Sequence, residues 1–178
     1  MAARLPRFHT CWPGLTAALI MWLAVGCAST PTFKLPAGQQ ASVEKALQVL
    51  ALELGRNPPS PEQVVARLQA FVQGHPDVFG STLAYAAPAS GPDRLTAPYV
   101  WRQGGMLASK ELYASDYLYR ELPWYNTPAT TGKATWSKPY FDQGGGNIWM
   151  ATYSIPLYTQ GNETRLIGIL TADLALHP

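Results

Sequence analysis

The sequence predicts a single α+β domain whose helices cover one face of an antiparallel sheet. Three observations predict it. Two amphipathic helical stripes open the folded part, and short strand-like runs broken by Gly and Pro follow them. The links between those runs are of hairpin length. No internal repeat or long low-complexity segment interrupts this order.

The first stripe is Val43, Ala46, Leu47, Leu50, Ala51 and Leu54, spaced i, i+3, i+4, i+7, i+8 and i+11, and Gly55 closes it. The second begins at "NPPSPEQ". There Ser60 is placed to cap, Pro61 suits the first helical position, and Gln63 stands where a capping box needs it. Val64, Val65, Leu68, Phe71 and Val72 form its apolar side, ended by Gly74 and Pro76. Such stripes are expected to pack on the protein's own sheet.

Strand texture starts after Pro76. "VFGSTLAYAA", "APYVWRQG", "MLASKELY", "KATWSKPYFD", "NIWMATYSIPLY" and "TRLIGILTADLAL" are rich in β-branched and aromatic residues. The last two are joined through a turn at Gly161-Asn162. Alternation along the final run puts Leu166, Gly168, Leu170, Ala172, Leu174 and Leu176 on one face, expected to meet the long helix. Ile167, Ile169, Thr171, Asp173 and Ala175 take the other face. Asp173 thus enters an apolar surrounding, where an unpaired charge is costly. It either accepts backbone amides in a turn or meets a cationic ligand.

Residues 1–26 have Arg4 and Arg7 ahead of an apolar stretch near Leu15–Val25, the layout of a secretory signal and too short to span a bilayer. "VGC" at its end resembles the lipobox of bacterial lipoproteins, which implies cleavage before Cys27 and lipidation of its sulfur. Processing removes two of the 13 Lys+Arg residues and no acid, leaving 11 against 11 Asp+Glu. A formally neutral chain has no general electrostatic attraction to nucleic acid. Cys27 then becomes the sole cysteine, so no disulfide can form within the mature chain. Residues 27–40, rich in Pro, Ser, Thr and Gly, are expected to tether the lipid to a folded domain over 41–178.

Within that domain, "DQGGGNIWM" invites a phosphate-loop reading, but no Lys-Ser/Thr follows its glycines and a strand, not a helix, comes next. Gly144–Gly146 are expected to form a turn. The chemistry lies just before it, in Tyr140 and Asp142. His75 beside Pro76 and His177 near the end have no neighbouring nucleophile or metal-ligand cluster. Asp142 and Asp173 are a conceivable acid–base pair, yet nothing suggests a reacting bond. The chain is therefore read as a non-enzyme without catalytic residues, metal or cofactor.

"SDYLYRELPWYNTPATTGKATWSKPYFDQGGGNIWMATYSIPLY" followed by "ILTADLAL" resembles the extracytoplasmic Cache (PDC-like) sensor domain over Val43–Leu176. The resemblance implies a long helix on one side of the sheet and a small-molecule pocket on the other. In the amino-acid-binding branch, aromatic residues and acids hold the ligand's ammonium while an arginine takes its carboxylate. The matching ammonium-holding positions are Tyr117, Trp124, Tyr125, Tyr140, Asp142 and Asp173, expected to line one cavity. Leu122 occupies the arginine position, and Arg120 is expected near the rim, where it could reach in its place. If Arg120 reaches in, an amino-acid-like ligand is expected; without a guanidinium fork, the pocket is expected to suit an amine lacking a carboxylate, or an uncharged ligand. Family members usually continue into a membrane helix and an output module, and none follows here, so a separate signalling protein is the expected partner. The alternative is an envelope lipoprotein that keeps the fold without the pocket and binds another protein. Both readings place the chain in the cell envelope, lipid-anchored and facing the periplasm. Ala28 after the cysteine points to the outer membrane.

Overall fold

A computed structural model describes residues 33–86, 96–113, 117–160 and 164–177. The predicted signal segment, Cys27, residues 28–32 of the predicted tether and the Gly161-Asn162 turn lie outside the described residues. Helix α1 (Ala37–Arg56) buries Val43, Ala46, Leu47, Leu50 and Leu54 of the predicted stripe, with Ala51 half-buried beside them. It starts before the boundary expected at 41, because Pro36 holds an extended N-cap and the polar Gly38-Gln39-Gln40 extends the helix without any apolar signature. The end of the predicted tether is also packed. Phe33 and Leu35 lie against Leu174, Leu176 and Trp149, with the Phe33 and Trp149 rings 4.8 Å apart. Helix α2 (Pro61–Gly74) opens on the expected capping box, in which the Ser60 amide donates to Gln63 Oε1 at 3.2 Å.

Among the described residues, seven antiparallel strands follow: β1 (Gly80–Tyr85), β2 (Pro98–Gln103), β3 (Met106–Glu111), β4 (Thr135–Trp136), β5 (Tyr140–Phe141), β6 (Trp149–Tyr158) and β7 (Leu166–Ala175). Their order is β3-β2-β1-β7-β6-β4, with β5 also paired to β6, so β7 is central. A third helix, α3 (Pro123–Thr131), was not expected from the sequence. It follows a short 3₁₀ turn, Tyr119–Glu121. Pro123 takes its first position and Gly132, left-handed at φ 67°, ends it.

The sheet separates two apolar layers. Leu83, Val100, Leu170 and Ala172 meet α1 and α2, whereas Ala84, Tyr99 and Ile169 meet Tyr119, Trp124 and Tyr125. The alternation predicted for β7 holds from Gly168 onward and inverts at its start. Ile167 joins the helix layer and Leu166 the aromatic layer. The cause is a register shift where Leu157 faces Gly168 but Tyr158 faces Leu166, since one extra residue flips the side of those before it. Among the described residues, no helix is long and apolar enough to cross a membrane.

Candidate functional site

The face of β7 away from α1 carries Thr171 and Asp173. Asp173 sits opposite Thr152 on β6 and Gly80 on β1. Thr152 donates its hydroxyl to Asp173 Oδ1 at 2.8 Å. The Tyr140 and Thr152 hydroxyl oxygens are also 2.8 Å apart, and with Thr152's proton committed, Tyr140 is the donor there.

Asp142 stands at the head of the glycine turn after β5. Tyr117 Oη donates to its Oδ1 at 2.8 Å, and the Gly146 amide donates to its Oδ2 at 2.6 Å. Gly144 (φ 83°) and Asn147 (φ 55°) supply the left-handed backbone that the turn requires. The Asn147 amide closes it on the Asp142 carbonyl at 2.9 Å. Lys110 on β3 fastens it from outside, donating Nζ to the carbonyls of Gly144 and Gly145 while lying over the Trp101 ring. The triple glycine is thus a turn whose amide fixes an acid.

These groups enclose a cavity of about 10 Å³, walled by Tyr99, Tyr117, Trp124 and Tyr140 and floored by both aspartates. That is about the volume one water needs. Asp142 and Asp173 are only 5% and 4% exposed, and neither makes an ion pair among the described residues. Burial, reinforced by the charge of Asp142, pushes the Asp173 carboxyl up to about 7. Burial also raises Asp142, against the lowering effects of the Gly146 amide, Tyr117 and Lys110. The buried Tyr99 hydroxyl lies near enough to Asp173 to ease its charge, but completes no hydrogen bond. Two buried acids faced by aromatic rings have the chemistry to attract a cation. Among the described residues, no group of three or more acids, histidines or cysteines could hold a metal ion.

Of the predicted site residues, Tyr117, Trp124, Tyr140, Asp142 and Asp173 meet at this cavity. Tyr125 does not line it. Successive helical residues point about 100° apart, and Tyr125 turns instead to pack edge-on against Tyr119 at 5.2 Å. Arg120 is not at the rim either. Its guanidinium lies 5.9 Å from the Tyr125 ring and donates to the Ala86 carbonyl. Leu122 lines an adjoining, open cavity of about 580 Å³, which shares Trp124 and Tyr140 with the acid box. Sequence reasoning missed Tyr99 and Thr152. Strand parity contained the signal, since Tyr99 is out of phase with the helix-facing Val100, and Thr152 with Tyr153. A separate cavity of about 410 Å³ lies near Lys34, Asp77 and His177. Its Arg102 is committed to the Val72, His75 and Val78 carbonyls, so it is not comparable to the acid box.

Residues 64–178 match the family profile described as methyl-accepting chemotaxis protein-like, first PDC sensor domain. Among solved structures, the extracellular domain of soHK1S-Z6, assigned as a histidine kinase, is 27% identical with TM-score 0.65, covering 76% of this chain and 53% of its own. Methyl-accepting chemotaxis protein X is 21% identical with TM-score 0.63, over 78% of this chain and 56% of its own. The ligand-binding domain of the Campylobacter jejuni chemoreceptor Tlp3, solved with L-valine, is 16% identical with TM-score 0.56, over 78% and 56%. The latter two likenesses, at such identity, show the fold alone. This chain spans little more than half the length of these relatives. No curated protein matches it. Sheet, helices and family profile agree: the chain belongs to the PDC (Cache) family of extracellular sensor domains, as a first PDC sensor domain of the chemotaxis-receptor type.

Proposed function

We propose that this PDC domain captures a small organic ammonium between Asp142 and Asp173 and passes its occupancy to a separate signalling protein. The observation that carries the reading is the pair of buried carboxylates without an ion-pair partner among the described residues, faced by Tyr99, Tyr117, Trp124 and Tyr140. An ammonium would satisfy the charges, and the ring faces would add cation–π attraction. Entry requires Trp124 and Tyr140 to part, which would join the acid box to the outer cavity they also wall.

Leu122 stands where the amino-acid-binding branch has arginine, so a carboxylate beside the ammonium would be desolvated without a partner. By calorimetry, n-pentylamine should bind the full chain more tightly than norleucine, which differs by the α-carboxylate. Leu122→Arg should reverse that order. Tighter binding of norleucine by the unaltered chain would overturn this assignment. The small volume of the inner cavity favours a second reading, an envelope lipoprotein that uses the fold to bind another protein; it takes the lead if neither compound binds.

"VGC" before Ala28 supports a lipid anchor on Cys27, with the domain facing the periplasm from the outer membrane and residues 27–40 linking it to the lipid. Cys27→Ser should release the protein from membranes or stall its processing, as read by fractionation. Unchanged processing and membrane association would rule the anchor out.

A further inference from the structure

The outer cavity has a charge of its own. Its lining includes Leu122, Trp124, Trp136, Tyr140 and Pro139, no acid, and a single cation, Lys138. The side chain of Lys138 is exposed, and its ammonium makes no ion pair among the described residues. Its backbone, by contrast, is closely fixed to the acid box. The Ser137 amide donates to the Thr152 carbonyl at 2.9 Å, and the Thr152 amide donates back to Ser137 Oγ at 3.0 Å. On the other side Pro139 confines Lys138 to extended backbone, and Tyr140 next to it reaches the Thr152 hydroxyl. Lys138 is therefore held between two attachments to the residue whose hydroxyl contacts Asp173.

The two cavities, joined, would have acids at the buried end, apolar rings along the middle and a flexible cation at the open end. We infer that Lys138 is a specificity-determining residue, and that the preferred ligand is an amine carrying a carboxylate at its far end rather than beside the nitrogen. This rests on the ammonium reading proposed above. The ammonium occupies the box, the methylene chain runs along Trp124, Tyr140 and Leu122, and the carboxylate meets Lys138. A carboxylate on the α-carbon would instead remain near the part-buried Leu122, which donates nothing. Lysine suits the outer role because its long stem lets one ammonium follow carboxylates at different reach.

Three probes separate the possibilities, each titrated calorimetrically into the full chain: n-pentylamine, norleucine and ε-aminocaproate. The last two are n-pentylamine with one carboxylate added, at opposite ends. The expected order is ε-aminocaproate tightest, by about tenfold over n-pentylamine for one charge-assisted contact, and norleucine weakest. Lys138→Met should erase the gain of ε-aminocaproate while leaving n-pentylamine unchanged, and Lys138→Arg should retain it. The side chain is exposed, so neither variant should disturb folding. If n-pentylamine binds but ε-aminocaproate gains nothing, or if Lys138→Met weakens both alike, the role of Lys138 is refuted and the ammonium site stands. If none of the three binds, the ammonium reading fails and this inference fails with it.

Discussion

Replacing Asp173 by Asn is expected to abolish ammonium binding and, above about pH 7, to make the ligand-free protein more stable than the unaltered one. In the unfolded chain Asp173 releases its proton near the ordinary value of 3.8, whereas in the folded chain burial keeps it protonated up to about 7. Between those values the folded state binds more protons than the unfolded one, so stability falls as pH rises from about 4 to about 7. The loss at higher pH is on the order of 4 kcal/mol, taking roughly 1.4 kcal/mol per pH unit. The side-chain amide of the Asp173→Asn variant would carry no charge and could still accept the Thr152 hydroxyl, so that loss disappears. Asp142, itself raised by burial, retains a dependence of the same sign. Melting temperatures of both proteins across this range provide the check, and parallel curves would contradict it. The same linkage governs the ligand. A cation needs the ionised acid, so amine binding near pH 6 should release protons and strengthen as pH rises toward about 7.

Gly168→Ala should be the most damaging single methyl group in the sheet. Gly168 lies on the central strand β7, and a Cβ there would stand 2.9 Å from both the Ala84 carbonyl carbon and Tyr85 Cα, closer still to the Ala84 oxygen. Those atoms belong to the backbone of β1, so relief requires two central strands to separate. Overpacking typically costs about 1–3 kcal/mol and more when backbone must move. At about 2–4 °C per kcal/mol for a chain of this size, the melting temperature should fall by roughly 5 °C or more. Gly74→Ala, with nothing within 4 Å of the added carbon, is the control. Equal melting temperatures for the two variants would show that the strands are not this close.

Much of this architecture was legible because it follows from periodicity. The stripes of α1 and α2 and the alternation along β7 are direct consequences of which residues leave water. Two features were hidden for identifiable reasons. Helix α3 contains Pro123, Pro128 and three threonines, residues that read as loop; its helicity comes from aromatic packing onto the sheet rather than from propensity. The bulge beside Gly168 leaves alternation intact on either side and reverses its meaning across one step, which no hydrophobic pattern records. Within the candidate site, the acids stood out because a carboxylate in an apolar strand needs a reason. Tyr99 did not, since a tyrosine in a strand needs none. Tyr125 was grouped with Trp124 by adjacency alone, and the helical turn between them separates their directions.

The narrowness of the acid box has a consequence for timing. A cavity with room for about one water cannot admit an organic ammonium by simple collision. Any such guest would have to wait for the walls to part, and its apparent affinity would be its intrinsic affinity scaled by the fraction of molecules open at that moment. Association would then be set by the rate of opening rather than by diffusion, and once the walls reclosed departure would be slowed as well. A sensor built in this way averages its input over its own dwell time. Brief fluctuations in concentration outside would pass unregistered, while a sustained change would be read.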